Sequence, residues 1–565
     1  MVALYRLMGS SLAAVLLALG PAWSSPQVHD ASVPSSPIVR TPLGAVEGTT
    51  VGALTVFKGI PYAQPPVGAL RWKPPVPVLP WKRVRKATAY GPTCFQPPDE
   101  QKSIYSENPM PMSEDCLTLN IWAPRRAHNA PVFFWIHGGA FLTGANRLGM
   151  YDGSRLAARG IIVVTINYRL GVLGFLAHPG LSAESPLKIS GNYGILDQIE
   201  ALKWVKANIG AFGGDPTNVT IAGESAGALS VIYLLTSPMA HGLFTKAIAE
   251  SSYMISMPML KEDKYGAMGG EKAGVMLGKK LKAPNIAALR AIDASTLATA
   301  AVPVGVPAAA PAAGFAPSGV IDGHVLPGQP FDIFEKGRQA RVPILIGFNA
   351  GEIRSLGVLV PPLPASATDY EETIRNRYRD LAGEFLRLYP STDVPESVLA
   401  TARDATYGWT AEEVARKQTA IGAPAYLYLF DHGYPAADKA DLHAFHASEL
   451  PYVFGTFTGT PPLWPKIEAT GEELKFSAAM TDYWSSFVLI GKPQAAGGSD
   501  WPVFGKNHAY MHFTAMPQAS DHLFPGMYEL HEAVVCRRFA AGDIAWQWNV
   551  GVLSPQLPAR RPQCK

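Results

Sequence analysis

The sequence is short of net charge, of cysteine and of long apolar runs. Lys and Arg number 48 against 45 Asp and Glu, a formal net charge of +3 over 565 residues. The basic residues gather only in short clusters such as Lys279-Lys280, so the electrostatic footprint of a nucleic-acid binder is missing. Past the N-terminus no stretch approaches the ~20 apolar residues of a membrane-spanning helix. Once a leader is removed, no integral membrane segment is expected. No internal repeat is found. Nucleotide and zinc signatures are absent too. There is no G-x-x-x-x-G-K-[ST], and Gly213-Gly214 lacks a phosphate-loop lysine. His531-Glu532-Ala533-Val534-Val535 starts like H-E-x-x-H but has valine in the last place. No cofactor and no metal are therefore expected.

What is present suits a large globular enzyme. The hydrophobic fraction is 48% and the charged fraction 16%, enough for a substantial core and unlike a disordered chain. Roughly 150 residues per domain would suggest several domains, but one oversized α/β domain also fits this length. The N-terminus reads as a signal peptide over residues 1–24: Arg6, the apolar run Leu12 to Leu19, then small residues in Ala22-Trp23-Ser24. Residues 25–565 are expected to form a single domain, secreted or periplasmic. Four cysteines, Cys94, Cys116, Cys536 and Cys564, fit that compartment as disulfides. Nearest-neighbour pairing gives Cys94–Cys116 and Cys536–Cys564, but three pairings are possible and the sequence does not choose.

Strand and helix signals alternate along the chain. Ile38 to Leu54 reads as an antiparallel strand pair at a sheet edge, and Pro131 to Ile136 and Ile161 to Tyr168 as strands buried on both faces. Apolar Leu196, Ile199, Leu202 and Val205 mark a helix from about Gly194 to Ile209. Residues 228–290 are mainly helical in pattern, and the Ala/Pro-rich stretch Ala300 to Pro317 reads as a surface excursion. Strands resume at Arg341 to Phe348 and Ala425 to Phe430, and the pattern ends with a helix near Phe476 to Ile490 and Trp501-Pro502. Such alternation predicts an α/β fold with a mostly parallel sheet, helices on both faces and large loop insertions.

The chemistry gathers around Val219-Thr220-Ile221-Ala222-Gly223-Glu224-Ser225-Ala226-Gly227. A β-branched strand running through G-x-S-x-G into a helix is a nucleophile elbow, which lifts a serine hydroxyl above the sheet. Side chains at 223 and 227 would collide with the neighbouring strand and helix. A serine nucleophile needs a base, an orienting acid and an oxyanion hole, and in α/β-hydrolases the order is serine, acid, histidine. The acid belongs in the loop after the strand that follows the elbow, which offers Glu352, with Asp322 as competitor. The base belongs after the last strand, and His432, His443 and His446 all follow Ala425 to Phe430. The backbone N–H groups of Gly138 and Gly139, in His137-Gly138-Gly139, and of Ala226 are the candidate oxyanion donors.

Taken together, Phe57 to Ala63, Glu114 to Asn120, His137 to Phe141, Asn167-Tyr168-Arg169, Gly191 to Gly194, Asp197-Gln198, Phe212 to Pro216 and the G-E-S-A-G elbow resemble the type-B carboxylesterases. That family includes cholinesterases and bacterial para-nitrobenzyl esterases, and the likeness runs from about Val39 to Phe504. It implies the α/β-hydrolase fold, Ser225 as nucleophile, Glu352 as acid and His446 as base. It also implies Gly138, Gly139 and Ala226 as oxyanion donors, a Cys94–Cys116 disulfide and a small-molecule ester as substrate. Cys536–Cys564 is not part of the pattern, and the oligomeric state is left open. The chain departs from the pattern at Ile353, where a glycine usually follows the acid, and at Ser251-Ser252 in place of serine-glycine. Residues 95 to 115 also lack the tryptophan with which cholinesterases bind a quaternary ammonium, so choline esters are not implied. Two alternatives to an esterase remain: a non-catalytic adhesion or binding member of the fold, and a hydrolase of amides or lactones.

Overall fold

The computed structural model describes residues 36–98, 103–300, 317–547 and 549–564. The expected signal peptide and most of the Ala/Pro-rich excursion lie outside the described residues.

Among the described residues fourteen strands follow in chain order: β1 (Ile38–Thr41), β2 (Gly44–Glu47), β3 (Thr49–Val51), β4 (Leu54–Pro61), β5 (Arg85–Lys86), β6 (Thr118–Pro124), β7 (Ala130–Ile136), β8 (Ile162–Ile166), β9 (Gly214–Glu224), β10 (Lys246–Glu250), β11 (Ile344–Asn349), β12 (Ala425–Phe430), β13 (Ala509–Phe513) and β14 (Gln518–Asp521). β1, β2 and β5 form a small separate sheet. The others form one sheet of 11 strands in the order β14-β13-β12-β11-β10-β9-β7-β8-β6-β4-β3. From β8 to β13 every pairing is parallel, and antiparallel strands flank this run at both edges. This is the α/β-hydrolase arrangement.

Strand periodicity divides the core. In β7, Val132, Phe134 and Ile136 face helices Tyr193–Asn208 and Ala226–Thr236, while Phe133 and Trp135 face helix Gly471–Ile490. Both faces are covered, so the central strands are apolar throughout rather than alternating, as a parallel sheet requires. Where the sheet opens above β9, loops from several strand ends converge, which is where ligands bind in open α/β sheets.

The structure corrects four expectations. Within 228–290, Lys246–Glu250 is a fully buried strand. It has only five residues, with a charged residue at each end, so it carried no strand signal. The chain also does not end its pattern at Trp501: β13, β14 and helix Met527–Ala541 follow. As a result, His446 does not come after the last strand, and the Glu352 loop follows the second strand after the elbow rather than the first.

Both nearest-neighbour disulfides are formed, Cys94–Cys116 and Cys536–Cys564. The second ties helix Met527–Ala541 to the chain's end. It spans 28 residues in sequence, and a closure of that size limits the unfolded chain by about 3 kcal/mol. Cys564→Ser is expected to lower the unfolding free energy in urea by up to that amount. An unchanged urea midpoint would show that the bridge does not stabilise the fold.

Candidate active site

The site begins with a backbone conflict. Ser225 sits between β9 and helix Ala226–Thr236 with φ 56° and ψ −122°, a region that costs a non-glycine residue ~1–3 kcal/mol. Its N–H donates to the Glu250 carbonyl of β10 at 3.0 Å, which fixes the turn against the next strand. A Cβ at Gly227 would lie 2.0 Å from the Ile136 carbonyl oxygen, and one at Gly223 would lie 2.5 Å from the Gly227 carbonyl carbon. The glycines in G-E-S-A-G are therefore required by packing on both sides of the serine.

Gly138 lies against this turn: a Cβ there would be 2.9 Å from the Glu224 carbonyl oxygen and 3.2 Å from Ser225 Cβ. The His137 ring holds the loop. Its Nδ1 donates to the Gly138 carbonyl at 2.8 Å, and burial drives its pKa down to about 4, so the imidazole is neutral. In a trans peptide, C=O and the next N–H point in opposite directions. Holding the Gly138 carbonyl on His137 therefore turns the Gly139 N–H away from that ring. Tyr168 stacks on His137 with ring centroids 4.5 Å apart and donates its hydroxyl to the His137 carbonyl at 2.8 Å. Next to it, Arg169 makes a buried bidentate pair with Asp197 at 2.7 and 2.8 Å. Tyr168 thus braces the glycine loop from behind. Among the described residues, the N–H groups of Gly138, Gly139 and Ala226 have no protein acceptor.

The histidine and the acid meet through their loops. Gly351, ahead of Glu352, forms a parallel bridge with Phe445, ahead of His446, and its N–H donates to the Ala444 carbonyl at 2.8 Å. Glu352 is fully buried, and its Oε2 lies 2.5 Å from His446 Nδ1. Its Oε1 accepts the Asn349 N–H at 2.9 Å. Ile353 packs into the core, and the loop forms without the usual glycine. The other candidates are engaged elsewhere. Asp322 accepts three backbone N–H groups of its own turn, at 2.8 to 3.1 Å. His432 pairs with Glu473, and exposed His443 with Asp438 and Asp441.

Glu224 is the site residue that the sequence reading did not single out. Its Oε1 lies 3.0 Å from His446 Nε2, so one imidazole stands between two carboxylates. An ionisable residue at the buried end of the strand, directly before Ser225, was the available signal. Burial alone would lower the His446 pKa, but Glu224 and Glu352 outweigh it and hold it well above the ordinary value. Behind this trio lie two more buried carboxyls. Burial, then Glu224 and Glu352, push Glu449 up to about 8, while burial and Glu449 raise Glu250 well above the carboxylate range. Tyr105, from the Cys94–Cys116 loop, donates to the His446 carbonyl at 2.9 Å, and the Tyr407 ring lies 5.5 Å from the imidazole. Ser225, His446, Glu224, Gly138 and Gly139 all line one cleft of about 500 Å³.

An 11-stranded, mostly parallel sheet with a strained serine at a strand-to-helix turn defines an α/β-hydrolase. The sequence profile of the Carboxylesterase family matches residues 35–530. The chain is 37% identical to fumonisin B1 esterase of Sphingopyxis macrogoltabida over 486 residues, covering 84% of this chain and 86% of that protein. It is 39% identical to para-nitrobenzyl esterase of Bacillus subtilis over 474 residues, covering 83% of this chain and 92% of that one. A solved para-nitrobenzyl esterase superposes with a TM-score of 0.74 at 33% identity, covering 87% of this chain and 99% of the other. The chain belongs to the carboxylesterase family, and it is a carboxylic ester hydrolase.

The packing around Gly227 gives a direct test. Gly227→Ala places a methyl group 2.0 Å from the Ile136 carbonyl oxygen. It is expected to cost at least about 2 kcal/mol in urea unfolding, or to prevent folding. A fully stable variant would show that helix and strand are not in contact there.

Proposed function

We propose that the chain is a serine esterase in which Ser225 is the nucleophile, His446 the base and Glu352 the orienting acid. The observation that carries this reading is the His446 imidazole, held by Glu352 at Nδ1 and lining the same cleft as Ser225. In the forward step Ser225 Oγ attacks the ester carbonyl carbon and its proton passes to His446 Nε2. The carbonyl oxygen becomes an oxyanion, held by the N–H groups of Gly138, Gly139 and Ala226, each worth about 3 kcal/mol in the transition state. The tetrahedral intermediate collapses, His446 returns the proton to the leaving alcohol, and an acyl-serine remains. Water, deprotonated by the same imidazole, attacks the acyl carbon and releases the acid. Glu352 fixes the tautomer with the proton on Nδ1 and stabilises the imidazolium. The Glu352 Oε1 contact to the Asn349 N–H keeps the carboxylate oriented for that task.

The substrate is a small-molecule ester. A non-catalytic binding role is disfavoured because serine, acid and histidine are all present and the imidazole is paired. An amide or lactone would pass through the same chemistry. The two disulfides suit an oxidising compartment, and with the leader at residues 1–24 they support export to the periplasm or beyond. Among the described residues no helix is long and apolar enough to cross a membrane.

Ser225→Ala is expected to keep the fold, by circular dichroism and urea midpoint, and to lose at least ~10³-fold in kcat/KM on p-nitrophenyl butyrate. Wild-type turnover by this variant would reject the assignment. The base also sets the pH profile. Glu224 and Glu352 favour the imidazolium, so His446 stays protonated above its ordinary value, and neutral base becomes available only at higher pH. The acid limb of kcat/KM is therefore expected above pH ~6.5. In Glu224→Gln, with one favourable carboxylate gone, the limb should move down by about one unit or more. A limb that stays in place or moves up would contradict this electrostatic account.

A further inference from the structure

The walls of the Ser225 cleft are unequal in charge. Leu142, Leu148, Met150, Leu356, Pro109 and Pro461 give it a mainly apolar lining. Among the described lining residues there is no Lys or Arg, while Glu224 supplies a carboxylate beside Ser225. Glu224 is 4% exposed, and its Oε1 lies 3.0 Å from His446 Nε2. Glu352 holds the other face of the ring. One proton shared between His446 and Glu224 leaves this trio, with Nδ1–H retained, at a net charge of −1 (imidazolium +1, two carboxylates −2). Losing that proton makes it −2. The carboxyls of Glu449 and Glu250 stand behind it and can only add negative charge.

We propose that this cleft selects uncharged esters against esters carrying a carboxylate, and that Glu224 is a specificity-determining residue for that choice. The inference rests on the esterase reading above and goes further by naming the substrate class. An anionic acyl or alcohol group entering the cleft leaves water for an apolar lining that offers it no described cation. It also approaches a negative floor. Both effects raise the energy of the bound anion and not that of its neutral isostere. A like charge about 8 Å away at an effective dielectric of about 20 is enough for roughly a 30-fold penalty, before the loss of hydration is counted. A neutral chain of the same length makes the same apolar contacts and meets neither penalty.

The test compares mono-p-nitrophenyl adipate, which carries a free carboxylate, with its methyl ester, of nearly the same length and uncharged. Both are read by p-nitrophenol release at one pH and ionic strength. Wild-type kcat/KM is expected to be about 30-fold or more higher for the methyl ester. Glu224→Gln should narrow this ratio at least ~5-fold, whatever it does to the absolute rates, because the ratio cancels any common loss of catalysis. Leu148→Arg, at a partly exposed position on the cleft wall, should narrow it independently by supplying a cation. A wild-type ratio within about 3-fold, or a ratio that neither substitution moves, overturns the proposal while leaving the esterase assignment intact. No release from the neutral ester by folded wild-type protein overturns both.

Discussion

The site depends on one close approach of backbones. Strand β7, strand β9 and helix Ala226–Thr236 meet at Gly227, where the Ile136 carbonyl leaves no room for a Cβ. This contact forces the chain to reverse within a residue or two after β9, and Ser225 takes up the reversal at φ 56°. A serine in that conformation is unfavourable in isolation. It persists because the end of the strand before it, Val219 to Glu224, and the helix after it are buried, and because its N–H is tied to β10. The same compression places Gly138 against the turn. Ser225 and the glycine loop are thus positioned by one packing event rather than by two separate loops.

Two histidines show how the surroundings divide the labour. His137 and His446 are both buried, and burial disfavours the charged form of each. His137 meets a backbone carbonyl and no carboxylate at contact distance, so it stays neutral and acts as a structural donor to Gly138. His446 meets Glu352 and Glu224 at its two nitrogens, so its charged form is favoured despite burial. In the proposed mechanism such an environment suits an imidazolium that forms during attack and then gives up its proton to the leaving alcohol. The second carboxylate has a cost and a use. It favours the imidazolium and so reduces the neutral base, and in the proposal above it gives the cleft floor its negative charge.

Much of this was legible in the sequence wherever backbone geometry dictates residue type. Gly223, Gly227, Gly138 and Gly139 stand where a Cβ would clash, and such positions leave fixed letters in the chain. Long apolar strands buried on both faces, such as Phe133 to Ile136, were equally plain. The histidine was not decided by chain order, because three candidates share the stretch after β12 and only pairing separates them: His432 with Glu473, His443 with surface aspartates, His446 with Glu352. Glu224 and the buried carboxyls Glu250 and Glu449 were missed because their significance arises across elements distant in sequence. The short strand Lys246–Glu250 and the final strands β13 and β14 were missed because strands of four or five residues carry little periodic signal.

The claim on which the account turns is that Ser225 alone carries the reactive hydroxyl, activated by His446. The most direct measurement is stoichiometric labelling of the folded protein with an organophosphate ester, followed by intact mass and peptide mapping. The account predicts one adduct per chain, on Ser225, forming in step with the loss of esterase activity and falling sharply in His446→Ala. Full inactivation with the adduct on another residue, or undiminished labelling without His446, would contradict it.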